Sequence, residues 1–321
     1  MDFLNSVTIA PVLDIAGDFV FFAEVVIGGV MTGVMYSLVA LGFVLIFKAS
    51  GVFNFAQGVL ALFAALTLVG VMEMLGNYPK ETLPILLIAV AIAVTAAVMV
   101  GLAFGIEFLI LRRLVNQEPI ILFMSTIGLA FVLEGVGDIV WGSNVKPLNI
   151  GIPDKSFMMS GILLNQFDIV AAVTAAVLVA VLAVFFQTTR LGRALRAVAD
   201  DHQAALSVGI PLKTIWVIVW SVSGLVALVA GIMWGAKSGV QFSLSLIALK
   251  ALPVLVLGGL TSIPGAIVGG LIIGVGEKVA EVYWGPALGG AIEGWFAYML
   301  AMAFLLVRPQ GLFGERIIER V

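Results

Sequence analysis

Apolar residues run almost unbroken for twenty or more positions at a time, and the polar residues gather in short stretches between those runs. A helix needs about 20 apolar residues to cross the hydrocarbon core of a bilayer, whereas buried strands need only about 4–8. The pattern therefore predicts an all-α, polytopic membrane protein with about nine transmembrane helices. These fall at residues 19–47, 54–75, 83–111, 119–141, 166–187, 214–236, 246–260, 264–284 and 287–307. The seventh is the least regular. Pro253 interrupts it, and LGGLTSIPGAIVGG follows at once as a turn or a broken helix, which we place at the inner surface. The loop GSNVKPLNIGIPDKSFMMSGILLNQ, between the fourth and fifth spans, is rich in turn residues and suits a short hairpin or a surface helix. It is also a candidate contact for an extracytoplasmic partner.

Composition agrees with that class. Hydrophobic residues make up 62% and charged residues 11% of the chain, and the mean hydropathy is +1.21. No soluble domain is left over, so residues 1–321 read as a single transmembrane domain. The first residues carry Asp2, Asp14 and Asp18 and no Lys or Arg, so they lack the basic segment of a cleaved signal. The first span is accordingly expected to stay in the protein. With Cys 0 and His 1, disulfides, thiolate metal sites and His-rich metal sites are excluded.

Charge placement gives the expected orientation. One topology puts Arg112, Arg113, Arg190, Arg193, Arg196, Arg308, Arg316 and Arg320 on the same side as Lys48 and Lys213. The positive-inside rule makes that side cytoplasmic, with the N-terminus outside and the C-terminus inside.

The enzymatic motifs are missing: the chain has no G-x-x-x-x-G-K-[ST], no H-E-x-x-H and no G-x-S-x-G. Ionisable residues inside the spans are more telling, because each costs about 2.5–3.5 kcal/mol at the bilayer centre. Glu134 and Asp138, and likewise Glu277 and Glu281, are four apart and share a helix face. Facing a water-filled outer funnel, such carboxylates attract an entering ammonium group. Lys250 can answer a carboxylate, either holding the bundle together or contacting cargo, and Glu293 lies in the last span. Glu107 reads as an ion pair with Arg112. In GVFNFAQG, Asn54 and Gln57 stand at helical spacing and suit either broken backbone or polar cargo. Ser125 and Thr126 offer hydroxyls at mid-depth, although such groups often bond back to their own helix.

The stretch 188–213, TTRLGRALRAVADDHQAALSVGIPLK, is the one long charged insert between apolar spans. Residues 192–199 read as a basic helix. Asp200 or Asp201 can then cap a short helix that ends at Gly209 and is stopped by Pro211. The small apolar face of Ala204, Ala205 and Leu206 suits a protein groove, while Arg190, Arg193 and Arg196 also suit anionic headgroups.

These residues resemble the permease subunits of bacterial branched-chain amino acid ABC importers. The likeness rests on GVMYSLVALGFVLIFKASGVFNFAQG, TRLGRALRAVADDHQAALSVGI, LKALPVLVLGGLTSIPGAIVGG and RPQGLFG, in that order. The family often has histidine where Gln57 stands and glycine where Thr261 stands. The resemblance implies an ABC importer permease fold in the bacterial inner membrane, and a coupling helix over 193–209 within the cytoplasmic loop 188–213. That helix, with Arg193, Arg196, Asp200, Asp201, Ala204, Ala205, Leu206 and Gly209, would seat in a separate ATP-binding subunit. It further implies two such subunits, which use ATP and Mg, a second homologous permease and an extracytoplasmic substrate-binding protein. This chain itself would bind no cofactor and no nucleic acid and would catalyse no reaction. The expected translocation path comprises Asn54, Gln57, Ser125, Thr126, Glu134, Asp138, Lys250, Glu277 and Glu293. Two other readings stay open: an ABC permease for urea, amides or another small organic solute, and an ion-coupled secondary transporter that uses the membrane carboxylates.

Overall fold

The computed structural model describes residues 7–314, except 77, 81–82, 115–116, 160, 201–208 and 210. Its helices are α1 (Ala10–Gly17), α2 (Phe19–Ser50), α3 (Gln57–Leu75), α4 (Ile85–Leu109), α5 (Pro119–Trp141), α6 (Gln166–Thr188), α7 (Arg190–Asp200), α8 (Leu212–Ser238), α9 (Ile247–Gly258), α10 (Ile263–Tyr283), α11 (Gly285–Leu288) and α12 (Glu293–Val307). Among the described residues 7 helices, α2, α3, α4 with the 3-10 turn after it, α5, α6, α8 and α10, are long and apolar enough to cross a membrane. The two remaining predicted spans are shorter: α9 continues a 3-10 turn from Phe242, and α12 has 15 residues. The last begins six residues later than its hydropathy suggests because Gly289 and Gly290 take φ of +94° and +78°, which ends α11.

Two compact units form. One comprises Met1–Ala40, Ile152–Val177 and Lys250–Val321, and the other Leu41–Gly151 and Leu178–Leu249.

In the second unit α3 is the central element, with nearly every residue from Gln57 to Gly70 buried. It packs against α4, α5 and α8. Glycines set the spacing: a methyl group at Gly231 of α8 would strike the Ala61 carbonyl, and one at Gly58 would strike that of Ser245. Small residues allow such approach where lipid offers no hydrophobic drive for association. On α4 the buried positions are Ile88, Ala91, Thr95, Met99, Ala103 and Ile106, a stripe at three- and four-residue spacing on a largely apolar helix, with Glu107 buried at its end. After α5 the chain is pinned by a bridge between Lys146 and Val240 and by an ion pair of Lys146 Nζ with Glu73 at 2.7 Å. Tyr78 donates to the Pro147 carbonyl at 2.8 Å and accepts from the Asn149 amide at 2.7 Å. Burial pushes its phenol above the ordinary range, so it stays neutral in that role.

In the first unit α2 crosses α10 where Gly29 and Gly33 meet Gly270 and Gly274, backbone against backbone. Ser37 Oγ lies 3.2 Å from the Ile267 carbonyl across the same seam. Pro253 lies inside α9, which runs on to Gly258, and the turn follows there: Gly259 takes φ +101°, and Ser262 caps α10 by accepting from Gly265 N at 3.0 Å. The RPQGLFG segment closes this turn. Leu312 N and Phe313 N donate to the Leu257 and Gly258 carbonyls at 2.8 and 3.1 Å, satisfying acceptors that a helix end leaves open. A Cβ on Gly311 would sit 2.8 Å from Gly259 N, so the two glycines permit one contact.

The all-α expectation is corrected at one place. Ser156–Met159 and Ile162–Asn165 form an antiparallel hairpin, β1 and β2, with Met159 opposite Ile162. Gly161 takes φ +85° at its tip, a conformation glycine adopts without steric cost. Leu163 N donates to Glu24 of α2 at 2.8 Å, and Asn165 Oδ1 accepts from Phe167 N at 2.8 Å to start α6.

Candidate functional site

Three polar clusters and one amphipathic helix hold most of the described residues that were singled out from the sequence. The first cluster, in the second unit, surrounds the break between α2 and α3. Asn54 and Gln57 are 0% and 1% exposed, so their amides need protein partners. Asn54 Nδ2 lies 3.3 Å from Gln57 Oε1, Ser223 Oγ of α8 lies 2.8 Å from the same oxygen, and Asn54 Oδ1 accepts from Ala56 N at 3.1 Å. Gly42 leaves room for the Gln57 amide, which a methyl group there would strike. Thr126 Oγ1 bonds back to Phe123 O at 2.8 Å and also accepts from Phe55 N at 3.1 Å, fixing the turn to α5. Ser125 Oγ bonds back to its own helix, to Leu122 O at 2.6 Å. The rings of Phe43 and Phe53 stack at 4.7 Å beside this network.

The second cluster, in the first unit, is charged. Lys250 Nζ lies 3.2 Å from Glu277 Oε1, and Tyr36 Oη donates to Glu277 Oε2 at 2.9 Å. The Glu277 side chain is 3% exposed and that of Lys250 28% exposed, so the pair runs from the interior toward an accessible end. Lys250 also reaches the Glu293 carbonyl at 3.4 Å, where α12 begins. Glu281 shares a face with Glu277 but does different work: its carboxylate accepts from Ala291 N at 2.9 Å and Glu293 N at 3.0 Å. Sequence reasoning missed Tyr36. A phenol inside a membrane span needs a partner when buried, but nothing local says which residue that partner is.

The third cluster is an open groove of about 360 Å³ in the second unit, lined by Phe131, Glu134, Gly135, Asp138, Ser143 and Phe242. Glu134 and Asp138 therefore do share one face and one space. Ser245 Oγ lies 3.1 Å from Glu134 Oε1, which orients that carboxylate, while Asp138 is exposed. Two carboxylates beside aromatic walls can receive a cation with an apolar body. Among the described residues no group of three or more His, Cys, Asp or Glu is placed to hold a metal ion.

The amphipathic helix is α7, which begins at Arg190, two residues before the expected start, because Thr189 Oγ1 accepts from Gly192 N at 3.1 Å. Leu195 and Val198 are buried, and the helix packs against α8. Arg193 and Arg196 turn back on the end of α6, donating to the Thr188 and Gln187 carbonyls at 3.1 and 3.4 Å. Asp201, Ala204, Ala205 and Leu206 lie outside the described residues. Gly209 takes φ +83° ahead of Pro211, which precedes α8.

Residues 25–308 match the family described as "Branched-chain amino acid transport system / permease component". The chain is 29% identical to the high-affinity branched-chain amino acid transport system permease protein BraD of Pseudomonas aeruginosa, over 94% of this chain and 98% of that one. It is 27% identical to the corresponding protein LivH of Escherichia coli K12, covering 94% and 99% of the two chains. A probable branched-chain amino acid transport permease protein LivH of Methanocaldococcus jannaschii is 28% identical over 89% of this chain and 91% of its own.

Proposed function

This chain belongs to the family of branched-chain amino acid transport system permease components, and from that premise we propose that it is the membrane-spanning subunit of an ABC importer. Its cargo is a branched-chain or related small amino acid. The single observation that carries the reading is the likeness to such permeases over nearly the whole of both chains.

In this reading all nine apolar segments cross the bacterial inner membrane, with the N-terminus outside and the C-terminus inside. Two ATP-binding subunits supply hydrolysis with ATP and Mg. A second homologous permease completes the path, and an extracytoplasmic binding protein delivers the solute. The groove at Glu134 and Asp138 supports the cargo assignment: its carboxylates suit the ammonium group of an amino acid, and Phe131 and Phe242 suit an aliphatic side chain. The Lys250–Glu277 pair holds an internal charge balance that a moving bundle must carry without exposing either charge to lipid.

Coupling falls to the loop 188–213. Helix α7 is tied to α6 by Arg193 and Arg196 and to α8 by its apolar face, so force applied to the loop reaches both spans. The small face of Ala204, Ala205 and Leu206 is the segment proposed to seat in an ATP-binding subunit.

Two variants test the assignment in cells that depend on leucine uptake. Ala205→Arg is expected to abolish uptake and co-purification of the ATP-binding subunits while leaving the chain in the membrane. Glu134→Gln with Asp138→Asn is expected to lower uptake about tenfold, equivalent to about 1.4 kcal/mol, with assembly intact. Normal uptake by Ala205→Arg contradicts the coupling role, and collapse of assembly in the carboxylate variant makes that pair structural.

A further inference from the structure

In the second unit a groove of about 590 Å³ runs between the end of α4 and the start of α8. Its walls are apolar: Phe104 and Phe108, one helical turn apart and more than half exposed, face Val217. Its end is cationic, formed by Arg112 and Lys213. Among the described residues Glu107 is the one carboxylate in the lining, and it is buried and paired to Arg112, with Nε to Oε1 at 3.4 Å. That contact uses one of the five N–H donors of the guanidinium fork. The guanidinium also lies 5.2 Å over the Phe108 ring, which holds the cation at the boundary between the apolar wall and the polar end. Lys213 sits in the first turn of α8, where the helix dipole adds to its positive charge.

An aromatic trough between two apolar helices, ending in net positive charge, matches one kind of occupant. We propose that this groove binds a single anionic phospholipid, with its phosphate at Arg112 and Lys213 and an acyl chain along Phe104, Phe108 and Val217. The charge pattern selects the occupant: two cations against one buried carboxylate favour an anionic headgroup, and the apolar trough favours a chain still attached to it. Lys213 is the last residue of the loop 188–213 and lies in the first turn of α8, so the bound lipid would brace the junction between that loop and α8. That consequence rests on the coupling role proposed above, whereas the binding site itself does not.

The test is native mass spectrometry of the full chain in non-ionic detergent, with phosphatidylglycerol and phosphatidylcholine of identical acyl chains at equal concentration. The expected result is a single bound phosphatidylglycerol in excess over phosphatidylcholine, with Lys213→Gln lowering its retention about fivefold. Lys213→Glu, a change at an exposed position that leaves the Glu107 pair intact, lowers it further. Phe108→Ala is expected to weaken retention of both lipids. Equal retention of the two lipids, or phosphatidylglycerol retention unchanged in Lys213→Glu, overturns the proposal. Displacement of the lipid by soluble glycerol phosphate reassigns the cationic end to a free phosphate compound. Exclusion of the lipid when the ATP-binding subunits are added reassigns the groove to a protein contact.

Discussion

The two buried polar clusters solve the same problem with different chemistry. Around Gln57 the partners are neutral: two amides and the Ser223 hydroxyl, which also reaches the Gly42 carbonyl at 3.1 Å, join α2, α3 and α8. Around Glu277 they are charged, with a lysine and a phenol holding one carboxylate. Burying a neutral amide that is fully bonded costs little, whereas burying an ion is expensive unless its partner stays with it. The neutral cluster behaves as ordinary joinery that tolerates small changes. The charged one behaves as a unit whose members cannot be removed singly, and such intramembrane ionisable groups are the ones transporters retain for function.

The largest expected effect comes from breaking the charged unit. Lys250→Met alone strands Glu277 and is expected to destabilise the chain by about 3–5 kcal/mol, seen as a marked fall in melting temperature in detergent. Adding Glu277→Gln should return most of that stability, because Tyr36 can still donate to the amide oxygen. A double variant that melts no higher than the single one would mean the two residues do not act as a pair. Next in size is Gln57→Leu, which leaves Ser223 and Asn54 without their shared acceptor and is expected to cost about 1–3 kcal/mol by the same measurement. If it cost as much as Lys250→Met, the contrast between neutral and charged clusters would disappear. The smallest effect is expected from Thr126→Val, which removes the acceptor for Phe55 N at about 1 kcal/mol and leaves cooperative melting unchanged.

Much of the architecture was legible because membrane spans announce themselves by length. Local chemistry was legible too: the Glu107–Arg112 pair, the back-bonding of Ser125, and the hairpin option after α5 all follow from residues close in sequence or from turn composition. Lys250 was expected to answer a carboxylate, but Tyr36 joins that site from 241 positions away, and no local pattern announces such a partner. The role of RPQGLFG was hidden for the same reason, since it shows only in the close approach of Gly311 to Gly259 and in the Leu257 and Gly258 carbonyls that Leu312 N and Phe313 N reach. Helix faces were hidden by the solvent itself. On α4 the packed and exposed sides are both apolar, so hydrophobicity cannot tell them apart, and the packed stripe shows only as the smaller residues Ala91, Thr95 and Ala103. Arg193 and Arg196 also reach back to the carbonyls that end α6, a contact that their basic character alone does not announce.

The central claim is that this chain moves amino acids only as one part of an ATP-driven assembly. Leucine uptake into proteoliposomes tests it most directly, with the chain alone compared with the chain plus its partner permease, ATP-binding subunits and binding protein. The account predicts uptake that requires the full assembly and ATP; accumulation by the chain alone, driven by a proton or sodium gradient, would contradict it.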